Sequence, residues 1–427
     1  MLVEVYRTSA GPMEAKPLRL RQHQVIPALL MLGLAAASAW LVLDVPRSLG
    51  DYGSQVKPFL DAATTGNWSG FLSGPISEGP LAIDIRLPFV LIAAAFDAVD
   101  LVRYQVGVAP FVVIAAILAG AIARRAIRAG AIWPMAALFA GLGLINPFSI
   151  KAIAFGHPEE LLTAALLVGA MIAAPVRSYW ISGGLLGLAI ASKQWALIGI
   201  LPVALAAPYF RIRLLTCAAA IVIVLNAPLV IAHPDRFFTV QDAAASAGST
   251  NSFATVWWPF LHAGPREVTR NGKRIALNET RRTPALVSRL SHPLIVLVPL
   301  ALILIAWLRR NLTLSNLLAL LIAALLIRCV LDPNDIIYYH LPALVALLAW
   351  ESTRHPWSDR PVPILSVLMA TAGWLTFMVL PGKISLDQLN GIYLSWSLSL
   401  IAAMIWFAYR RPSGAVTRKV IVLHREC

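Results

Sequence analysis

The residues of this chain that could do chemistry are a small set of ionisable and polar side chains within or beside long apolar runs. They form four groups along the sequence: Asp51 and Glu78; His157 with Glu159 and Glu160; Lys193; and Arg328 with Asp332, Asn334 and Tyr338. A carboxylate can act as a general base, and lysine or arginine can stabilise negative charge on a phosphate. Charged side chains at membrane depth are costly and tend to mark function. These groups are therefore the candidate functional residues.

The composition places these residues in a membrane protein. The chain has 427 residues, of which 59% are hydrophobic and 13% are charged, whereas about 25% are charged in an ordinary soluble protein. Its mean hydropathy is +0.74. The net charge of +14 comes mostly from short basic clusters between apolar runs. That pattern is typical of cytoplasmic loops, so nucleic-acid binding is set aside. The sequence predicts an all-α polytopic membrane protein.

The apolar runs predict about twelve transmembrane helices in the cell membrane. A helix needs about 20 apolar residues to cross the hydrocarbon core, and the basic clusters orient the helices with both termini in the cytoplasm. The predicted spans are 25–43, 104–123, 131–148, 161–174, 180–210 as two short helices, 214–231, 293–308, 317–331, 337–350, 364–380 and 392–409. The chain is thus divided into a cytoplasmic segment 1–24, a transmembrane domain 25–409 with outer loops 44–86 and 233–291, and a cytoplasmic tail 410–427.

Three details of this topology bear on the candidate residues. The run 87–96 is about half a span long, which indicates an interfacial or re-entrant helix. The run 180–210 would carry one of its basic ends outside if it were a single helix, so a break near Lys193 is predicted, with Lys193 at the outer end. A removable signal peptide ending near residue 39 is the alternative to a retained first span. With this topology all four groups lie at the outer face.

Metal binding is not required by the sequence. The cysteines Cys217, Cys329 and Cys427 are scattered, so they predict neither a disulfide framework nor a metal cluster. The sequence has no Asp-x-Asp pair beside a nucleotide site and no phosphate-binding P-loop. Asp332 and Asp335 flank a Pro-Asn pair, which favours a turn. No cofactor is expected, and a divalent metal is left open.

Four short motifs follow one another between residues 25 and 350. They are Asp51-Tyr52 with Phe59, Ala62 and Gly66; Gly156 to Glu160; Gly184 to Lys193; and Arg328 with Asp332-Pro333 and Tyr338-Tyr339. In this order they resemble motifs of the GT-C superfamily of membrane glycosyltransferases, in particular bacterial mannosyltransferases that use polyprenyl-phosphate sugars. The Arg-rich loop 233–291 has no counterpart in that pattern and leaves the acceptor open.

The resemblance implies an inverting transfer of a sugar, most readily mannose, from a polyprenyl-phosphate donor to a glycolipid or polysaccharide acceptor at the outer face. It implies Asp51 as the general base, with Asp44 and Glu78 as competing acids. Lys193 and Arg328 would bind the donor phosphate. The remaining candidates for substrate binding are His157, Glu78, Tyr338, Tyr339, Asp332 and Asn334.

Each of these residues also has a simpler interpretation. Lys193 could snorkel to the interface, and Arg328 could form a helix-end pair with Asp332. Glu159 and Glu160 are more readily first-turn acids of a helix. The two tyrosines could anchor the chain in the membrane interface. The loop aromatics Trp257, Trp258 and Phe260 could form either a sugar-stacking platform or, more commonly, an interface anchor.

Two other functions fit parts of the sequence. A transporter, or a flippase of a lipid-linked sugar, would also have about twelve spans and intramembrane charges, but it should concentrate those charges at the midplane. Within the enzyme class, an arabinofuranosyltransferase remains an alternative, since nothing in the sequence distinguishes ring size.

Overall fold

The computed structural model describes residues 18–73, 79–176, 178–245, 252–270, 273–308, 312–353 and 359–410. Its helices are α1 Leu18–Leu43, α2 Tyr52–Gln55, α3 Lys57–Thr64, α4 Trp68–Leu72, α5 Pro80–Asp84, α6 Leu87–Ala95, α7 Asp100–Arg128, α8 Trp133–Leu144, α9 Pro147–Phe155, α10 Glu159–Ala173, α11 Tyr179–Ser192, α12 Ile200–Ala206, α13 Arg211–Ala232, α14 Pro234–Ala245, α15 Ala285–Leu308, α16 Leu314–Leu331, α17 Leu341–Glu351, α18 Ile364–Trp374 and α19 Leu386–Tyr409. Short 3-10 turns cover Ala174–Val176, Gln194–Gly199, Trp258–Phe260 and Ile337–His340, and a π-helical turn covers Leu375–Val379.

The protein is a helical, polytopic membrane protein. In the described part of the chain seven helical segments are long and apolar enough to cross a membrane: α7, α8 with α9, α10 with its 3-10 extension, α13, α15, α16 and α19. Shorter apolar helices lie at the other predicted spans, in α1, α11, the segment 194–206, α17 and α18 with its π-helical turn. Every predicted span thus coincides with helix.

The structure adds to the sequence expectations at two places in the loops. The segment 262–282, within the predicted loop 233–291, forms an antiparallel hairpin, with strand β1 (His262–Arg270) paired to β2 (Lys273–Arg282). The span predicted to begin at residue 293 begins at Ala285 instead, because α15 continues through Pro293 and Pro299. Proline is tolerated inside membrane helices where neighbouring groups satisfy the freed backbone atoms.

Two predicted breaks are present. Helix α6 has nine residues and is about 14 Å long at 1.5 Å per residue, which is too short to cross. Helix α11 ends at Ser192, Lys193 adopts an extended backbone, and a 3-10 turn leads into α12. Lys193 therefore lies at the turn of a helical hairpin, as predicted.

The centre of the bundle is built by α10, α16 and α17, with α17 packed against both of the other two. The most apolar stretch of α16 is 78% buried and that of α10 is 72% buried, whereas that of α13 is 11% buried. Because α13 is as apolar as the central helices, its exposed surface is suited to lipid. The central helices therefore form the support on which the candidate residues are fixed.

The first loop is held against the start of α10 by two glycines with positive φ. Gly50 has φ +53° and Gly156 has φ +95°, a region that favours glycine. The Asp51 N–H donates to the Phe155 carbonyl at 2.8 Å. A Cβ on Gly156 would lie 2.5 Å from the Tyr52 nitrogen. This close approach places Asp51 directly over His157.

Candidate active site

A chain of three side chains runs from solvent into the protein. Asp51 Oδ2 lies 3.0 Å from His157 Nε2, and His157 Nδ1 lies 2.8 Å from Glu159 Oε1. The exposed fractions of the three side chains are 54% for Asp51, 7% for His157 and 0% for Glu159. The imidazole is therefore held from within by a buried carboxylate and presents its other nitrogen to an exposed carboxylate. An acid in this position is fixed in direction and open to a reactant.

Glu159 connects three parts of the chain: its own segment with His157, the hairpin with Lys193, and the end of the first loop with Arg86. Its Oε1 atom also lies 3.1 Å from Lys193 Nζ, and its Oε2 atom accepts a hydrogen bond from Arg86 Nη2 at 3.0 Å. Glu159 does begin α10, as the sequence suggested, but its burial and its ion pairs go well beyond a first-turn acid that favours the helix dipole. Removing one member of such a buried group leaves the others uncompensated.

Lys193 is not a snorkelling residue. Its side chain is 12% exposed and points into the acids, with Glu159 at 3.1 Å and Glu160 Oε1 at 3.9 Å. The hairpin that carries it is tied to its surroundings, because Ser192 Oγ accepts a hydrogen bond from the Thr163 hydroxyl at 2.9 Å and its carbonyl accepts one from the Gly79 N–H at 3.0 Å. The ammonium group is therefore fixed beside His157.

A second arm of the cluster contains Arg328. Glu160 accepts a hydrogen bond from Trp195 Nε1 at 3.1 Å, and the Arg328 guanidinium lies 5.2 Å from the Trp195 ring centroid and 4.5 Å from that of Tyr339. Arg328 is 6% exposed. Its Nη1 atom is buried and has no hydrogen-bond partner among the described residues. A buried cation with a free donor is suited to an anionic ligand.

The predicted pair between Arg328 and Asp332 is not formed within the described residues, where no ion pair joins them. Asp332 Oδ1 instead accepts a hydrogen bond from the Asn334 N–H at 2.8 Å. This is the turn that the Pro-Asn sequence predicted. Neither side chain is brought into contact with His157 or Lys193, so their substrate-binding role stays a prediction. Glu78 lies outside the described residues.

The two tyrosines are part of the cluster and do not form a membrane-interface anchor. Tyr338 is 3% exposed, and its ring centroid lies 5.0 Å from that of His157 and 5.3 Å from that of Tyr339. Tyr339 in turn faces Arg328. The pair therefore joins the Asp51 arm to the Arg328 arm, and Asp51, His157, Lys193, Arg328 and the two tyrosines belong to one continuous cluster.

The two loop tryptophans are placed differently from both sequence interpretations. Trp258 is 1% exposed and donates to Asp387 Oδ1 at 2.7 Å, and Trp257 Nε1 donates to the Leu331 carbonyl at 2.7 Å. Only Phe260 among the three is strongly exposed, at 64%. The two tryptophans fasten the loop to α16 and α19, so they do not serve as a sugar platform.

Sequence analysis missed Arg86, which is fully buried. Its guanidinium carbon lies 5.6 Å from the Tyr52 ring centroid and 4.9 Å from that of Phe111. The signal that could have revealed it is a single arginine at the end of a polar loop, directly before an apolar helix. Such an arginine also suits a membrane boundary, so its pairing with Glu159 could not be derived from spacing.

Among the described residues, the formal charges of the cluster balance. Three acids, Asp51, Glu159 and Glu160, face three bases, Arg86, Lys193 and Arg328. Arg86 and Lys193 are committed to Glu159, whereas Arg328 is held mainly by aromatic rings. Asp51, the exposed acid, and Arg328, the base without an acidic partner at ion-pair distance among the described residues, thus lie on opposite sides of His157 and the two tyrosines.

No protein-family model matches the sequence, and no curated protein matches it either. Among solved structures, the chain is similar to ArnT from Cupriavidus metallidurans bound to undecaprenyl phosphate, with a TM-score of 0.46 and 13% sequence identity, over 91% of this chain and 78% of that chain. This degree of similarity says nothing about activity, which has to be inferred from the cluster itself.

Proposed function

We propose that this protein is a membrane glycosyltransferase that transfers a sugar from a polyprenyl-phosphate donor to a hydroxyl group of a glycolipid or polysaccharide at the outer face of the cell membrane. The observation that carries the proposal is the juxtaposition of an exposed carboxylate, Asp51, with buried cations. Asp51 is held by His157, and Lys193 and Arg328 lie on the far side of that histidine.

Asp51 acts as the general base. A hydroxyl group is a weak nucleophile, so its proton must be accepted as the new bond forms at the sugar carbon. The exposed Oδ atoms of Asp51 can receive the acceptor hydroxyl, while His157 fixes the direction of the carboxylate. Attack on the face of the sugar opposite the phosphate inverts the configuration at the donor carbon. Glu159, which is buried, contacts no substrate and is a positioning residue.

Arg328 and Lys193 bind the leaving phosphate. When the glycosidic bond breaks, negative charge increases on the phosphate oxygen, and fixed donors stabilise it without reorganisation. Arg328 has the buried, unpartnered Nη1 atom that such a ligand would satisfy. Because Lys193 forms an ion pair with Glu159, it acts on the phosphate mainly through its positive electrostatic potential. The lipid tail would lie along the apolar exterior of the bundle.

The sugar is proposed to be mannose because the sequence motifs resemble those of mannosyltransferases. The cluster itself does not distinguish a hexose from a furanose, so an arabinofuranosyl donor is the alternative within the same mechanism. The acceptor is proposed at the level of a glycolipid or polysaccharide hydroxyl, since the Arg-rich loop 233–291 has no counterpart in the motifs of that family.

The position of the charges favours an enzyme over a carrier. Glu159 and Glu160 are the first two residues of α10, and Arg328 lies three residues before the end of α16. The charged residues of the cluster therefore lie at one end of the central helices. A carrier would instead place them near the membrane midplane on broken helices.

The proposal is tested with the full chain in proteoliposomes that contain radiolabelled polyprenyl-phosphate mannose and a crude glycolipid acceptor fraction. Labelled glycolipid should form with the protein and not with empty vesicles, and polyprenyl-phosphate arabinose should be tested in parallel. Redistribution of labelled donor between leaflets without any product would contradict the enzyme and support a flippase.

A further inference from the structure

A second buried cluster is formed by residues that directly follow members of the candidate active site in sequence. It consists of Cys329 at the end of α16, Asp335 in the following turn and His340 before α17, with relative exposures of 0%, 1% and 0%. One donor atom of each residue lies within 4.8 Å of the others. The three residues are separated by short distances in sequence, yet the cysteine spacing gave no indication of them.

Two hydrogen-bond acceptors in this cluster, on His340 and Asp335, compete for one proton of the Tyr393 hydroxyl. His340 Nδ1 lies 3.2 Å from the Ile337 carbonyl, so it carries the ring proton and leaves Nε2 as an acceptor. That Nε2 atom lies 3.4 Å from Asp335 Oδ2, and the Tyr393 hydroxyl lies 3.0 Å from Oδ2 and 3.2 Å from Nε2. The hydroxyl has one proton and can donate it to only one of these two acceptors.

Asp335 also has an oxygen with no partner. Its Oδ1 atom is buried and accepts no hydrogen bond among the described residues. Within the described part of the chain no lysine or arginine forms an ion pair with Asp335, although Arg328 lies near. A buried carboxylate that is neither paired nor fully hydrogen-bonded is expensive. The carboxylate therefore requires either a proton or a bound cation to neutralise it.

We propose that Cys329 Sγ, the Asp335 carboxylate and His340 Nε2 bind one Zn²⁺ ion. Thiolate, imidazole and carboxylate are the three ligand types that zinc takes in proteins, and a soft thiolate disfavours magnesium and calcium. The Nδ1 contact of His340 to a backbone carbonyl is the usual way in which a ligating imidazole is oriented. The Tyr393 hydroxyl lies where it can complete the coordination or hydrogen-bond to the ligands.

Such a site would fix the geometry of the candidate active site. Cys329 follows Arg328, and His340 follows Tyr339, so a bound ion would clip the end of α16 to the start of α17 and hold Arg328 against the Tyr339 ring. This consequence rests on the proposed function, but the metal site does not. It is a structural site, since all of its ligands are buried.

The experiment measures metal directly in the full chain, purified in detergent without a polyhistidine tag. Elemental analysis of wild type should find about one zinc per chain, as in a structural zinc site. C329S and D335N should lose the zinc. The matched cysteine control C217S should keep it, because Cys217 is a half-buried residue of α13, far in sequence from the cluster. Zinc at the same level in C329S and wild type would overturn the proposal.

Two further measurements keep the proposal testable if a variant fails to fold. Wild type grown with Co²⁺ in place of Zn²⁺ should show a thiolate-to-metal absorption band in the near ultraviolet, and absence of this band would count against a cysteine ligand. If a proton rather than a metal neutralises Asp335, wild type will contain no zinc and D335N will unfold at the wild-type temperature. Either result refutes the site, whether or not sugar transfer is found.

Discussion

His157 Nε2 lies 3.0 Å from Asp51 Oδ2, although the two residues are 106 positions apart in sequence. The contact joins the first loop to the start of α10, and it is possible because glycine at positions 50 and 156 lets the two backbones approach. An exposed carboxylate is thus fixed by a buried imidazole. Most consequences of the proposed function can be tested by changing one side of this contact.

Replacing His157 tests whether Asp51 must be oriented. H157Q should lower kcat about 10²-fold, because a misdirected base loses the near-attack geometry, while the KM for the donor changes little. H233Q serves as the control, since the His233 ring lies 3.3 Å from the Ser69 carbonyl and contacts no member of the cluster among the described residues. The measurement is steady-state transfer in proteoliposomes. A kcat equal to wild type in H157Q would mean that the imidazole does not position the base.

Replacing Arg328 tests phosphate binding. R328Q should raise the KM for the polyprenyl-phosphate donor by about 10- to 100-fold, the value of a hydrogen bond to a charged group. The KM for the acceptor should stay near its wild-type value. R103Q is the matched control, because Arg103 is partly exposed and donates to the Ala98 carbonyl. An increase confined to the acceptor KM would mean that Arg328 binds the acceptor and not the donor phosphate.

Glu159 should be more important for stability than any exposed acid. E159Q leaves Arg86 and Lys193 without their shared carboxylate and should cost about 3–5 kcal/mol, measured by unfolding in detergent. The partly exposed pair of Lys57 and Asp61, at 2.6 Å, provides the comparison, and D61N should cost less than about 1 kcal/mol. Equal losses would show that the buried group does not hold the first loop to α10.

Alanine substitutions at Gly156 and Gly66 distinguish the effect of backbone strain from the effect of a steric clash. Both have positive φ, +95° and +76°, so alanine should cost about 1–2 kcal/mol of strain at either position. A Cβ at Gly156 would also meet the Tyr52 nitrogen at 2.5 Å, whereas at Gly66 it would meet nothing within 4 Å. G156A should therefore reduce both stability and transfer, and G66A stability alone. Full transfer activity in G156A would argue against the need for this close approach.

The sequence predicted the helices, since apolar runs are local signals, whereas the placement of the candidate residues at the outer face stays a prediction. The break at Lys193 followed from the same length and charge considerations. The roles of Glu159 and Arg86 could not be predicted, because their pairing depends on packing between residues 73 positions apart. The two loop tryptophans were misplaced for a similar reason, since burial against α19 is a tertiary contact.

The most direct test of the central claim is single-turnover transfer of labelled sugar from polyprenyl-phosphate mannose by wild type, D51N and the control D44N. Asp44 is exposed at the end of α1 and lies in the same loop. D51N should remain folded and membrane-inserted and transfer sugar about 10²–10⁴-fold more slowly than wild type, whereas D44N should match wild type. Transfer by D51N within a few-fold of wild type, or an equal loss in D44N, would contradict the assignment of Asp51 as the base.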